Sequence, residues 1–437
     1  MTVTAVDSTA AVPELGRGYA DDCAATARCL ARFEDELRAA GPGEAAVRLH
    51  TAARRARRRF VELHAETLYA ELTDGRRAFL RLDDLAAGAA RLIPGLTPTK
   101  EQIEAERRRP QRVKEGREID HGILFWGLLR SAAAGRHLME AMRRPTPKAL
   151  AALPAFRATG RADFGIVSVE RRDGVGEVTV DNARFLNAED DLLVAALEAA
   201  VDLVLLDDGI RVGVLRGAAM THPRYAGRRV FSAGINLTRL YEGEISLIDF
   251  FLARELGYIN KIFRGLSVPD DGGDWLPEPV EKPWAAAVDT FAIGGGAQIL
   301  LVFDRVIATD DAYFTLPALR EGIIPGAANL RLSRVAGNRL ARQAIFADRR
   351  IDARSGEGRL LCDEAVPADR MDAAAAAAAA ELADPAVVGN RRILHAHEEP
   401  EDVLRLYLAD YAVEQCRRLH SPDLVENLER TWISRNR

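Results

Sequence analysis

The chain changes texture at residue 164, and that change limits its fold more than any single motif does. Residues 1–160 are rich in Ala, Leu, Arg and Glu and poor in strand-forming side chains, which predicts helices. "TPTKEQIEAERRR" offers Thr97 or Thr99 as a helix cap, and "DHGILFWGLLRSAAAGRHLMEAMRR" reads as an apolar helix in need of a partner. Pro145, Pro147 and Pro154 then punctuate the chain. From 164, "FGIVSVERRDGVGEVTVDN" sets two alternating apolar runs around "RDGVG", the pattern of a β-hairpin. A helical stretch, "NAEDDLLVAALEAAVDLVLLD", leads to a buried-strand run, "IRVGVLRG". "LIDFFLARELGYINKIFRGL" reads as one amphipathic helix, followed by a polar loop with Asp270, Asp271, Gly272, Gly273 and Asp274. Strands and helices alternate to about 330, and the remainder is mostly helical, with Asp372 as the expected cap of the alanine run Ala373 to Ala380. The pattern predicts an α/β core at 161–340, preceded by a helical N-terminal domain at 1–160 and followed by a helical region at 341–437.

Composition narrows the function classes. The 437 residues are 48% hydrophobic and 29% charged, as in a globular protein with a sizeable core. A net charge of -5 gives a nucleic-acid partner no global support, and the basic run Arg54 to Arg59 is expected to be a solvated helix face. Four scattered cysteines fit reduced thiols rather than a metal site or a disulfide framework. No apolar stretch reaches the roughly 18 residues of a membrane span, and the first residues lack a secretion pattern, so no membrane partner and a cytoplasmic location are expected. His395 and His397 stand i,i+2 on a predicted helix, which puts them on different faces and leaves no metal cluster; both are expected to face solvent.

Two glycine clusters carry the chemistry: "FSAGINL" at 231–237 and "IGGGAQI" at 293–299. A glycine between a strand and a helix permits positive φ and a close backbone approach, and the helix start leaves N–H groups unpaired. Two such turns facing one point would make an oxyanion hole, which stabilises charge on a carbonyl oxygen. Neither cluster fits the G-x-G-x-x-G dinucleotide pattern, and there is no P-loop.

Taken with "NARFLNAED", "IRVGVLRG", "EKPWAAAVDTFAIGGGAQILLVFDRVIAT" and "LPALREGIIPG", these clusters resemble the crotonase (enoyl-CoA hydratase/isomerase) superfamily over about 164–370. The resemblance implies a core of spiralling ββα repeats. It also implies an oxyanion hole from the backbone N–H groups of Ile235 and of Gly295 or Gly296, with Gly234 in the same substrate-binding turn. Arg184 falls where that family often places a basic residue near coenzyme A. The family's hydratases use two carboxylates, but the matching positions here are Gln298 and Ala318, so hydration by that route is not expected. Glu321, close by, is the possible substitute, with a surface or ion-pair role as its alternative.

The helical N-terminal extension, the missing carboxylates and "REGIIPGAANLRL" resemble a branch of that superfamily that oxygenates arylacetyl-CoA thioesters with O2. That branch implies no cofactor, no metal, and a homo-oligomer, trimer or hexamer. Glu189 is then expected to accept a hydrogen bond from a ring phenol or else to solvate a helix start, and Arg254 to hold a phenol oxygen or a developing peroxide or else to form an intrahelical ion pair; Gln298 is expected to donate a hydrogen bond near the substrate, and Ile323 and Ile324 to line a dry pocket for O2 or else to pack in the core. The alternatives are a hydratase, isomerase or thioesterase on the same fold, or a catalytically silent acyl-CoA-binding scaffold.

Overall fold

The computed structural model describes residues 12–269 and 278–431, so the expected polar loop at Asp270 to Asp274 lies outside the described residues. The chain forms two compact units. The first comprises residues up to Ala141 together with Arg405–His420, and the second runs from Met142 to Leu404 and resumes at Ser421. The expected boundary at 160 is therefore corrected to 141/142. The helix Pro147–Thr159 belongs with the second unit because its Phe156 and Ala149 are buried there.

The first unit is helical among its described residues, built on Tyr19–Ala40, Glu44–Leu72, Leu82–Leu92, Lys100–Arg107 and Glu118–Arg130. Thr99, not Thr97, caps Lys100–Arg107 in a reciprocal box with Gln102. The basic run divides. Arg55, Arg58 and Arg59 are exposed, whereas Arg57 is buried and bonds the Gly95 carbonyl at 2.8 Å and Asp120 at 3.2 Å. The expectation of a fully solvated basic face is corrected: one side of this helix packs inward, and its arginine follows.

The second unit carries two sheets. β1 (Arg161–Asp163), β2 (Val167–Arg172) and β3 (Val175–Val180) pair antiparallel. Asp173 and Gly174 both have positive φ (49° and 81°), as a two-residue hairpin turn requires. The sheet continues in parallel through β4 (Val212–Gly217), β5 (Trp284–Val288), then, beyond β6 (Phe291–Ile293), β7 (Arg305–Thr309), and ends at β10 (Glu364–Val366). β6 instead pairs with β8 (Tyr313–Thr315), which pairs with β9 (Ile351–Asp352). β4 and β5 are buried throughout, because the helix Met371–Leu382 lays Ala375, Ala378 and Ala379 on them. Asp372 does not cap that helix. It bonds Arg216 at 2.6 Å and Arg229 at 2.8 Å, and the helix starts without a side-chain cap.

The expected single helix over "LIDFFLARELGYINKIFRGL" is three pieces. A π-helical turn, Leu247–Leu252, runs into Ala253–Leu256; the chain breaks at Gly257 and resumes as Tyr258–Arg264. A Cβ at Gly257 would lie 2.4 Å from the Ala253 carbonyl oxygen, so the break needs glycine. Beyond it, Lys261 is fully buried between Glu198 at 2.8 Å and Asp202 at 2.7 Å. Those two carboxylates and the break fix the rotation of both helical pieces.

Candidate active site

Three extended segments build the site. "FLNAE" reverses through Leu186 and Asn187, both at positive φ, and so turns Glu189 inward. Glu189 bridges Ile235: its N–H donates to the Gly234 carbonyl at 2.6 Å, and its carbonyl accepts from the Asn236 N–H at 2.7 Å. In a parallel bridge of this kind Ile235's own N–H points to the other side. The segment 231–235 also runs beside β6, with Ser232 bridging Ala292 and the Ile293 N–H bonding the Ser232 carbonyl at 3.0 Å. The two glycine clusters are therefore neighbours in space.

Their contact is close enough to require glycine. A Cβ at Gly234, whose φ is 82°, would lie 2.7 Å from the Ile293 carbonyl oxygen, and one at Gly296 would lie 2.5 Å from the Ser232 Cβ. The Gly294 N–H bonds the Thr315 carbonyl at 2.8 Å, which pins the turn. Among the described residues, the N–H groups of Ile235, Gly295 and Gly296 donate to no protein acceptor. Unpaired N–H groups on adjoining buried turns are what a carbonyl oxygen acquiring charge needs.

Behind these turns lies a buried polar network. Arg254 donates Nε to Glu189 Oε2 at 2.5 Å and Nη2 to Glu189 Oε1 at 3.2 Å. Nη2 also donates to the Gly295 carbonyl at 2.7 Å, while Nη1 donates to Glu255 Oε1 at 3.1 Å and to Gln298 Oε1. Tyr258 donates its hydroxyl to Glu189 Oε2 at 3.0 Å, and Gln298 Nε2 donates to Glu255 Oε2 at 3.1 Å. All five N–H groups of Arg254 are thus committed to protein acceptors. In this arrangement Arg254 ties Glu189, Gln298 and the glycine turn together. Burial opposes the charge on Arg254, but Glu189, Tyr258 and Glu255 outweigh it and hold the guanidinium more firmly protonated than usual. Burial likewise raises the Glu255 carboxyl, against Arg254 and Arg331.

The other expected residues are less concentrated. Arg184 is exposed, with its guanidinium over the Phe185 ring at 5.1 Å. Ile323 is buried and Ile324 half-buried, both in the "IPG" turn that follows Glu321. Ala318 opens the short helix Ala318–Glu321. Glu321 itself is buried, and Arg320, not Glu321, takes the ion pair with Asp348 at 2.9 Å, so the surface ion-pair alternative for Glu321 is overturned. His397 is exposed as expected, but His395 is buried, stacked on Phe263 at 3.9 Å, with burial pushing its pKa down to about 4. Among the described residues no group of three or more His, Cys, Asp or Glu is arranged to hold a metal ion. Glu255 and Tyr258 escaped the sequence reading, and "ARELGY" gave one signal for them: polar groups interrupting an apolar run.

Known proteins resemble this chain in sequence and in fold. The enoyl-CoA hydratase/isomerase family model matches residues 277–401. A protein of Amycolatopsis orientalis named (3,5-dihydroxyphenyl)acetyl-CoA 1,2-dioxygenase is 55% identical over 85% of each chain. A short-chain-enoyl-CoA hydratase of Clostridium acetobutylicum is 31% identical over 43% of this chain and 63% of its own. A crystal structure of an enoyl-CoA hydratase from Mycobacterium avium subsp. paratuberculosis superimposes with a TM-score of 0.50 at 22% identity, covering 61% of this chain and 99% of its own. With its sheet order, its paired glycine turns and a relative more than half identical across most of both chains, the protein belongs to the enoyl-CoA hydratase/isomerase, or crotonase, superfamily.

Proposed function

We propose that the chain is a cofactor-independent dioxygenase that converts 3,5-dihydroxyphenylacetyl-CoA and O2 to 3,5-dihydroxyphenylglyoxylate and coenzyme A. One arrangement carries this reading. The unpaired N–H groups of Ile235 and the glycine turn adjoin, yet the two hydratase carboxylate positions hold Gln298, locked against Arg254 and Glu255, and Ala318. Such a site stabilises an enolate without the means to add water across a double bond. The aryl substrate follows from the name of the 55% identical relative.

Loss of the α-proton places negative charge on the thioester oxygen, under the N–H groups of Ile235 and of Gly295 or Gly296. The electron-rich enolate gives one electron to O2, and the two radicals combine at the α-carbon. The resulting peroxide attacks the thioester carbonyl and expels coenzyme A; collapse leaves the α-keto acid. Both atoms of O2 enter the product, and both α-hydrogens leave carbon, so the sum needs no outside reductant. Glu189, fixed by Arg254 and Tyr258, keeps acceptor capacity on Oε1 for a ring hydroxyl, Arg184 meets the coenzyme A end, and Ile323 and Ile324 border the path of O2. The active form is a homo-oligomer, a trimer or hexamer.

Chelator-treated protein is incubated with the thioester in air and under argon, and the released acid is identified. Oxygen uptake matching coenzyme A release, with an arylglyoxylate as product, is expected in air alone. Coenzyme A release under argon, or a hydrated product, would instead make the chain a thioesterase or hydratase.

A further inference from the structure

Among the described residues, one carboxylate beside the glycine turns has no structural partner. Glu321 ends the helix Ala318–Glu321 and is 8% exposed. Among the described residues its carboxyl makes no hydrogen bond and no ion pair, and its neighbour Arg320 is turned to Asp348. A buried carboxylate without a partner is costly, so its presence calls for a reason beyond packing. Its Oε2 lies 3.9 Å from the point a Cβ on Gly294 would occupy, and that point is 3.7 Å from the Gly234 Cα. The carboxyl end of Glu321 therefore stands next to the place where the two turns meet. Burial, opposed by Arg320 and assisted by Asp348, pushes this carboxyl up to about 8.

The oxygenation proposed above begins with removal of an α-proton, and the residues at the usual carboxylate positions cannot take it. Gln298 is an amide and Ala318 a methyl group. Of the other buried carboxylates near the turns, Glu189 is engaged by Arg254 and Tyr258, and Glu255 by Arg254 and Gln298. Arg254 donates hydrogen bonds to both of these carboxylates. We propose that Glu321 is the base that takes the α-proton of the bound arylacetyl thioester, an assignment that rests on the dioxygenase reading. The α C–H bond breaks, its electron pair moves to the thioester oxygen, and the proton forms an O–H bond on Glu321. The neutral acid then returns that proton to the departing coenzyme A sulfur. A carboxyl held near 8 is a stronger base than an ordinary one, which suits a weakly acidic C–H bond.

The test measures α-hydrogen exchange, which precedes any reaction with O2. Full-length protein, saturated with 3,5-dihydroxyphenylacetyl-CoA in D2O under argon, is expected to exchange the α-hydrogens. Glu321→Gln is expected to exchange about 100-fold more slowly or worse, with thioester affinity within about threefold and an unfolding midpoint at pH 6 no lower than the parent's. Glu321→Asp is expected to recover part of the exchange. In air, an α-deuterated substrate is expected to give a larger isotope effect on oxygen uptake by Glu321→Gln than by the parent protein. Exchange by Glu321→Gln at the parent rate would overturn the assignment and leave the dioxygenase reading intact. A parent protein that neither exchanges under argon nor consumes O2 in air would overturn both.

Discussion

Arg254 and Glu321 both approach the glycine turn and meet opposite fates. Arg254 is charged, buried and fully bonded; Glu321 is buried and, among the described residues, bonded to nothing through its side chain. The pKa of Glu321 has a consequence for stability. Its carboxyl titrates near 8 in the folded protein and near 4.5 when free. Between those values the unfolded chain holds fewer protons than the folded one, so stability falls as pH rises through that window. Glu321→Gln is therefore expected to lose less stability between pH 5 and pH 9 than the parent protein, as urea midpoints at the two pH values will show. Equal losses would mean that Glu321 ionises freely in the folded state. At this scale the sequence was legible where a residue type was out of place: Gln298 where a carboxylate is usual, Arg254 inside an apolar run. Their mutual pairing and that of Arg254 with Glu189 were not legible. They join side chains 44 and 65 positions apart, and only the fold sets that register.

Among the elements, the broken helix around Gly257 decides where Arg254 points. A regular helix through 247–264 would keep Arg254 and Tyr258 on one face by the i,i+4 rule. The π-helical turn and the break re-aim both, and both still reach Glu189. Gly257→Ala would set a Cβ 2.4 Å from the Ala253 carbonyl oxygen and 2.9 Å from Glu198 Oε1. Destabilisation of about 1–3 kcal/mol is expected, measured by urea unfolding, together with a fall in kcat as Arg254 shifts. A variant as stable and as active as the parent would show that the break is dispensable. Strands, hairpin and most helices were readable from periodicity and turn residues. The break was not, because a single glycine in an amphipathic pattern looks like an ordinary interruption, and Glu198, which crowds its α-carbon, comes from another helix. The Asp372 cap was misread for a related reason: a good capping residue was drawn away by Arg216 and Arg229.

For the molecule as a whole, the helix Glu401–Leu419 crosses from one unit to the other. Its residues from Arg405 onward belong with the N-terminal helices, burying Leu408, Ala412 and Cys416 there; the Cys416 Sγ bonds the Glu118 carbonyl at 3.2 Å. Nothing local announces this, since the same apolar stripe would serve either unit, and a boundary drawn from texture alone falls at 160. A fragment beginning at Met142 is expected to expose that stripe and to aggregate, or to self-associate beyond the full chain's assembly, on size-exclusion chromatography. Replacing Leu408 and Leu419 with Glu in that fragment is expected to restore its solubility, and failure to do so would place the exposed surface elsewhere.

The late arrival of this helix also orders events on the ribosome. The first unit is translated first, yet its closing segment emerges only after nearly all of the second. At about 5–20 residues per second, the early helices wait on the order of tens of seconds for the piece that seals them, and in that interval the surface it will cover stays open to water.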